Sequence, residues 1–428
     1  MKLANPNPIG LDFRNPKFYD KADLKTEMDR VFDICHGCRL CFNLCPSFPA
    51  LFDAVDSHEN EVAGLTQAEK DRVVDLCYEC KLCNVKCPYI PPHEYNLDFP
   101  RLMLRARALR GREHGATISD RLLGMTDLMG KIGSLLAPLM NAGLKSRWNR
   151  ALMEKVAGID RRRLLPIYAH ETLARWWSKR GGAAPARNGK VALFATCSVN
   201  YNDPRVGRAA AFVLEKNGVA VTMPPQECCG MPYLDGGLME QAAAQVERNV
   251  ARLAPLCKDG HTVVVPGPTC TFMIRNEWPE LVKTDDARLV ASKTMDLSAF
   301  LLSLKEALNR DFPRPLGKIA YHVPCHLKAL NIGLPSRDLL ARVPGSEIEV
   351  IDRCSGVDGT WGLKHAYYDM SVKIADKLVT RVADPDRKWD VVVSDCPLSG
   401  LTIEERTTQK PVHPIVAIAN AYGWEDRP

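Results

Sequence analysis

The alternation of apolar and polar positions divides the chain into stretches of different character. Residues 23–33 and 66–76 read as short helices, the second opened by Thr66 with Glu69 three residues later in a capping box, and each helix delivers the chain into a cluster of cysteines. From about Pro100 to Gly182 the pattern is helical and rich in Leu, Met, Lys and Arg, including KIGSLLAPLMNAGL and the cationic run Arg161, Arg162, Arg163. This stretch reads as a connector, not as an independent core. After the loop GGAAPARNGK, short β-type runs alternate with helical segments over 204–217 and 238–253, the pattern of a parallel α/β sheet. The runs are VALFATC, VAVTMPPQECCG, TVVVPGPTC, IAYHVPCH, IEVIDRCSG and VVVSDCPLSG, and every one is followed by a cysteine. Ligand sites in open α/β sheets lie outside the carboxyl ends of the strands, so thiols at these ends describe a metal site in the expected place. The order also repeats, since Cys197, Cys228 and Cys270 are answered by Cys325, Cys354 and Cys396.

Composition narrows this picture. A chain of 428 residues holds two to four domains, and 46% hydrophobic with 25% charged residues is ordinary for a globular protein. The net charge of +6 is too small to argue for nucleic acid. No run of about 18 apolar residues occurs, and the start has no apolar signal segment, so the sixteen cysteines are expected in a reducing, cytoplasmic setting as metal ligands rather than disulfides. Residues 131–144, flanked by Arg121, Lys131, Lys145 and Arg147, read either as an interfacial helix on the inner face of the cell membrane or as a helix packed on the α/β lobes. Trp176 and Trp177 read as an interface anchor or as filling at the lobe junction.

Cys35-x2-Cys38-x2-Cys41-x3-Cys45-Pro46 is followed by Cys77-x2-Cys80-x2-Cys83-x3-Cys87-Pro88, each cysteine displaced by the same 42 residues. This is the two-cluster bacterial ferredoxin run, in which three thiolates on a tight loop reach one cluster and the fourth, beyond a proline, reaches the other. The expectation is one [4Fe-4S] cluster on Cys35, Cys38, Cys41 and Cys87, and a second on Cys77, Cys80, Cys83 and Cys45. A pair of zinc ribbons fits less well, because these do not use duplicated four-cysteine runs. With its long connection and preceding helices, the module resembles the helical ferredoxin domains of succinate dehydrogenase and heterodisulfide reductase iron–sulfur subunits.

At Cys228-Cys229-Gly230, and through CSVNYNDPRVG, ECCGMPY, GPTCTFMIRNEWP, YHVPCH, GVDGTWGLK and LPIYAHETLARWW, the chain resembles the CCG-domain iron–sulfur oxidoreductase family, which includes subunits of heterodisulfide reductase and of anaerobic glycerol-3-phosphate dehydrogenase. The resemblance implies an α + α/β architecture: an N-terminal tail over 1–20, a helical two-cluster ferredoxin domain over 21–100, a basic helical connector over 101–188, and two homologous cysteine-rich lobes over 189–312 and 313–428. It implies a further iron–sulfur site at Cys197, Cys228, Cys229 and Cys270, although Gly267 stands where that family's CxxC pair begins. The second lobe keeps Cys325, Cys354 and Cys396 but has Ser355 and Ser399 in place of two thiols, so it is expected to be vestigial or weakly loaded. Cys257 is expected to be packing, and His36 and His326, each beside a cysteine, read as turn residues or as hydrogen-bond partners that tune a cluster.

No G-x-G-x-x-G follows a strand and no phosphate-binding G-x-x-x-x-G-K-[ST] occurs, so hydride chemistry is assigned to a partner. The leading expectation is an electron-transfer subunit between a flavin-containing dehydrogenase, or another redox protein, and a quinone or other acceptor. The family resemblance implies glycerol 3-phosphate as that partner's substrate. A thiol–disulfide reductase acting at Cys228 and Cys229, as in heterodisulfide reductase, is the alternative. A third is a scaffold whose clusters only hold the fold.

Overall fold

The computed structural model describes residues 9–181 and 185–426. Residues 1–8 of the expected tail lie outside these. From residue 9 on, the segment is no free tail: Pro16–Tyr19 form a helical turn, and Leu11 and Phe18 are fully buried in the main core. Asp20 then caps the helix Lys21–Cys38 by accepting from the Asp23 N–H at 2.8 Å. This helix is longer than the pattern over 23–33 suggests. No breaker interrupts it before Arg39, whose left-handed φ of 51° ends it, so Cys35 and Cys38 lie on its last turn. The helix Gln67–Leu76 opens as expected, with Thr66 and Glu69 completing a reciprocal capping box. It packs against the helix Ser47–Asp56, and Phe32, Phe48, Phe52, Phe99 and Met103 fill the apolar core of this N-terminal helical unit.

The helix Phe99–His114 leaves that unit and runs along the α/β part. There, two wholly parallel sheets form. The first has the order β2-β1-β3-β4, with β1 Lys190–Leu193, β2 Ala220–Thr222, β3 Thr262–Val265 and β4 Thr294–Asp296. The second has the order β6-β5-β7, with β5 Lys318–His322, β6 Glu347–Ile351 and β7 Val391–Ser394. Six of these strands follow the apolar runs of the sequence. The seventh, β4, has no such run: it is three residues long, sits between the helices Asp285–Ser292 and Leu297–Ser303, and is held by β3 through the register Val263 to Thr294. Ile319, Tyr321 and Val393 of the second sheet join the same core as Val191 and Val263 of the first. Burial on both faces explains the near-continuous valine and isoleucine runs.

The connector folds as short helices, Ile118–Gly124, Thr126–Leu135, Ala137–Lys145 and Arg147–Ala157, so residues 131–144 are two helices broken at Leu136, with Pro138 in the first turn of the second. Its inner face is flat: Gly130 and Gly133 lie against the rings of Tyr201 and Tyr168, where a Cβ would come within 2.3 Å and 2.5 Å. Its outer face exposes Leu128, Ile132, Leu135, Leu139, Trp148, Leu152 and Val156. The connector therefore packs on the first α/β unit and also presents an apolar surface. Trp176 and Trp177 pack against the core with the Arg180 guanidinium over both rings.

Candidate metal centres

All sixteen cysteines are free thiols, and their grouping follows from the loops that carry them. Arg39 and Lys81, each following the second cysteine of its run, share the left-handed conformation, with φ of 51° and 61°. That winds both loops tightly enough to point several thiols inward. Burial, then the proximity of Cys41, Cys87 and Cys38, pushes the Cys35 thiol well up; burial, then Cys87 and Cys38, pushes Cys41 up to about 11. The structure thus brings Cys87 from the second run to the three leading cysteines of the first. The reciprocal exchange is present as well. Cys45 neighbours Cys77, Cys80 and Cys83, all three of which are buried and pushed well above the ordinary thiol range. Cys83 also senses Cys41, so the two groups are adjacent.

Backbone N–H groups point at these sulfurs. Tyr89 donates to Cys87 Sγ at 3.4 Å, and the N–H groups of Ser47 and Phe48 are directed at Cys45. Buried thiols gathered in fours and supplied with N–H donors are suited to the thiolate form, and a soft, sulfur-only donor set suits iron–sulfur or zinc. The duplicated run and shared fourth ligand favour iron–sulfur.

At the ends of the first sheet's strands a third group assembles. Cys197 and Cys228 lie 4.0 Å apart, and Cys229 hydrogen-bonds with Cys228 and Cys270. Hydrogen bonds with Cys197 and Cys229 hold the Cys228 thiol below its ordinary range. The Cys228-Cys229 strand end is fixed by Trp278 Nε1 donating to the Cys229 carbonyl at 2.9 Å and by Asn249 Nδ2 donating to the Cys228 carbonyl at 3.1 Å. Gly230 follows with φ of 95°, and a Cβ there would meet the Ala242 carbonyl at 3.3 Å. The connector covers this group: Asp127 Oδ2 accepts from the Cys228 N–H at 2.8 Å, and Thr126 reaches the same thiol. Burial, then the charge of Cys228, raises Asp127 to about 6.

The second sheet's cysteines behave differently. Cys325 hydrogen-bonds with Cys354, whose Sγ accepts from the Gly356 N–H at 3.3 Å, whereas Cys396 hydrogen-bonds with Ser399. Ser355 and Ser399, where thiols are missing, lie 2.9 Å apart and bond to one another. Cys354 lies 3.7 Å from the Tyr78 hydroxyl and within the electrostatic reach of Cys80 and Cys45. These second-sheet thiols therefore back onto the Cys77 group, a proximity that spacing alone does not reveal.

His326 is no turn residue. It is buried, stacks on Phe272, and its two nitrogens lie 2.9 Å from Thr269 Oγ1 and 3.1 Å from the Glu79 carbonyl, so it ties both sheets to the Cys77 loop. His36, in contrast, pairs with Asp56 at 2.8 Å and beside Arg39. Cys257 is buried among the first sheet's apolar side chains. Around the Cys77 loop the sequence pattern does not anticipate a buried ionic network: Lys81 donates to Glu79 at 2.6 Å, Arg101 pairs with Glu277 at 3.0 Å, and Arg107 donates to the carbonyls of Val74, Cys77 and Asp235.

A groove of about 800 Å³ opens beside the first-sheet thiols, lined by Tyr19, Arg112, Arg121, Met125 and Tyr233 among others. Tyr233 lies close enough to Cys228 for that thiolate to raise its phenol, after burial.

Residues 27–115 match the Fer4-like domain of citrate utilization protein B, and residues 191–275 match the cysteine-rich CCG domain. The chain is 32% identical over 310 residues to the C-type subunit of the anaerobic glycerol-3-phosphate dehydrogenase of Escherichia coli (strain K12), a match that covers 71% of this chain and 77% of the relative. It is 31% identical over 218 residues to the lactate utilization protein A of Bacillus subtilis (strain 168), covering 48% of this chain and 87% of that protein. The corresponding protein of Bacillus velezensis shows the same 31% identity over 218 residues.

Proposed function

Because this chain belongs to the CCG-domain iron–sulfur family that includes the anaerobic glycerol-3-phosphate dehydrogenase C subunits, we propose that it is the electron-transfer subunit of a dehydrogenase complex, passing electrons from a flavin-containing partner to a quinone. Cys35, Cys38, Cys41 and Cys87 would hold one [4Fe-4S] cluster, Cys77, Cys80, Cys83 and Cys45 a second, and Cys197, Cys228, Cys229 and Cys270 a third. Such clusters supply one-electron carriage when bound. The observation that carries this reading is the exchange of fourth cysteines between the two N-terminal groups, which sets the groups side by side. By resemblance, the partner's substrate is glycerol 3-phosphate.

The chain's own residues divide the remaining work. The loops around Arg39 and Lys81 fix the thiols, while the ionic network keeps the Cys77 loop rigid and largely dry. The groove beside Cys228 is the acceptor site in this reading, since its size is that of ligand pockets and it offers aromatic, apolar and cationic surface to a quinone headgroup. The exposed apolar face of the connector, with Arg121, Lys131, Lys145, Arg147 and Lys155 exposed around it, supports placement on an anionic membrane surface, where quinones reside. Among the described residues, no helix is long and apolar enough to cross a membrane.

Anaerobic stopped-flow mixing of the dithionite-reduced protein with a water-soluble quinone tests the proposal. Reoxidation is expected to be at least about tenfold slower in the Cys228→Ser/Cys229→Ser variant, with the ferredoxin-type paramagnetic signals retained. A wild-type protein that stays reduced in the presence of quinone would contradict it.

A further inference from the structure

Between the Cys77 loop, the helix Phe99–His114 and the two α/β units lies a cavity of about 80 Å³, room for two or three waters at roughly 30 Å³ each. Asp235 reaches it from the first unit, six residues after Cys229, and Asp358 from the second, four residues after Cys354. The two carboxylates come together where the chain at Gly359 passes Asp235: a Cβ built on that glycine would lie 2.7 Å from Asp235 Oδ2. Oδ1 of Asp235 and Oδ2 of Asp358 are buried and have no hydrogen-bond partner.

That condition is costly, because a buried acceptor without a donor loses its hydration for nothing in return. The other charges facing the cavity do not relieve it, since each is committed elsewhere. Lys81 is paired with Glu79 at 2.6 Å and Lys364 with Asp120 at 2.6 Å, while Arg110 is paired with Asp75. Arg107 spends its donors on backbone carbonyls, including that of Asp235 itself. Two carboxylates in one poorly solvated space are most simply accommodated by a proton on one of them.

Asp358 also faces the thiols. After burial, its charge is the largest influence on Cys80, and it acts on Cys325, Cys354 and Cys396 as well. We propose that Asp235 and Asp358 form a shared proton-acceptor site that binds one proton when an electron arrives at the Cys45, Cys77, Cys80 and Cys83 group. The inference rests on that group holding a cluster. One electron enters from the reductant and adds one negative charge at the thiolate group; one proton passes from water through the cavity to a carboxylate oxygen. On reoxidation both leave. Burial, opposed by Lys81 and reinforced by Glu79, puts Asp235 at about 8 and Asp358 at about 7, so the pair is poised to change protonation around neutral pH. The coupling keeps net charge from accumulating in the interior as electrons pass.

The test is a redox titration of the full, anaerobically purified protein, following both ferredoxin-type paramagnetic signals between pH 6 and 9. One of the two midpoint potentials is expected to fall as pH rises, approaching about 59 mV per tenfold change in proton activity, the value for one proton per electron. The Asp235→Asn/Asp358→Asn variant should flatten that line and leave the other cluster's line as in wild type. Redox difference infrared spectra should show a carboxylic acid C=O band appearing on reduction of the wild type and missing from the variant. If the double variant does not fold, Asp358→Asn alone should reduce the slope. Potentials independent of pH in the wild type, with both signals present, would overturn the proposal, as would a slope that survives in the variant. A protein without cluster signals would instead overturn the reading on which it rests.

Discussion

His322 shows how a buried side chain sets a pH dependence that no motif announces. Its Nδ1 lies 2.9 Å from Ser394 Oγ and its Nε2 lies 3.1 Å from the Arg353 carbonyl, and burial lowers its pKa from 6.5 to about 4. Between those values the unfolded chain binds a proton that the folded chain refuses. Its contribution is therefore complete above about pH 6.5 and is lost as pH falls toward 4. His326 and His413 are lowered in the same sense by burial. Thermal unfolding should accordingly show the midpoint dropping between pH 7 and 5, with a shallower drop in His322→Gln; equal slopes would contradict the assignment. At this scale the cysteines were legible because chemistry fixes their spacing. The histidines were not, since whether an imidazole is buried depends on partners such as Ser394 and Glu79, which are distant in sequence.

The helix Phe99–His114 is the element that joins the N-terminal unit to the rest. Its Arg107 donates to Val74 and Cys77 of the Cys77 loop and to Asp235 of the first α/β unit, and its Arg101 holds Glu277. Arg107→Met removes these bonds and deprives Glu79 of a second cation, with a cost of about 3 kcal/mol for breaking a buried charged network. The expected result is a lowered thermal midpoint and faster loss of the Cys77-group signal than of the Cys35-group signal under chelator; loss of both at equal rates would argue against this role. Six strands and the capping box of Gln67–Leu76 could be read from local pattern. The strand β4 could not, because Thr294–Asp296 has too few residues to show alternation and owes its state to pairing with β3. Likewise, the break at Leu136 follows from Pro138, whereas the placement of Thr126 and Asp127 over Cys228 is a tertiary contact.

On the scale of the whole molecule, thiol groups and surfaces are arranged in sequence from the Cys35 group to the adjacent Cys77 group, with the second-sheet thiols against the latter and the connector covering the Cys228 group. The outer face of that connector predicts reversible binding to anionic lipid vesicles, weakening as salt rises because exposed charges are screened. Leu135→Gln combined with Trp148→Gln should reduce co-flotation with such vesicles about tenfold or more, since both side chains are largely exposed and each contributes apolar area only to a second surface. Co-flotation unchanged by the substitutions would remove the membrane from the account. The central claim, three iron–sulfur sites held by these particular thiols, is tested most directly by iron and acid-labile sulfide per chain. The protein is purified anaerobically as wild type, as Cys228→Ser/Cys229→Ser and as Cys354→Ser/Cys396→Ser, and read beside low-temperature electron paramagnetic resonance. The account predicts about twelve irons in the wild type, a loss of about four with the ferredoxin-type signals intact in the first variant, and no loss in the second. Fewer than about seven irons in the wild type, below two four-iron clusters, or a loss confined to the second variant, would contradict it.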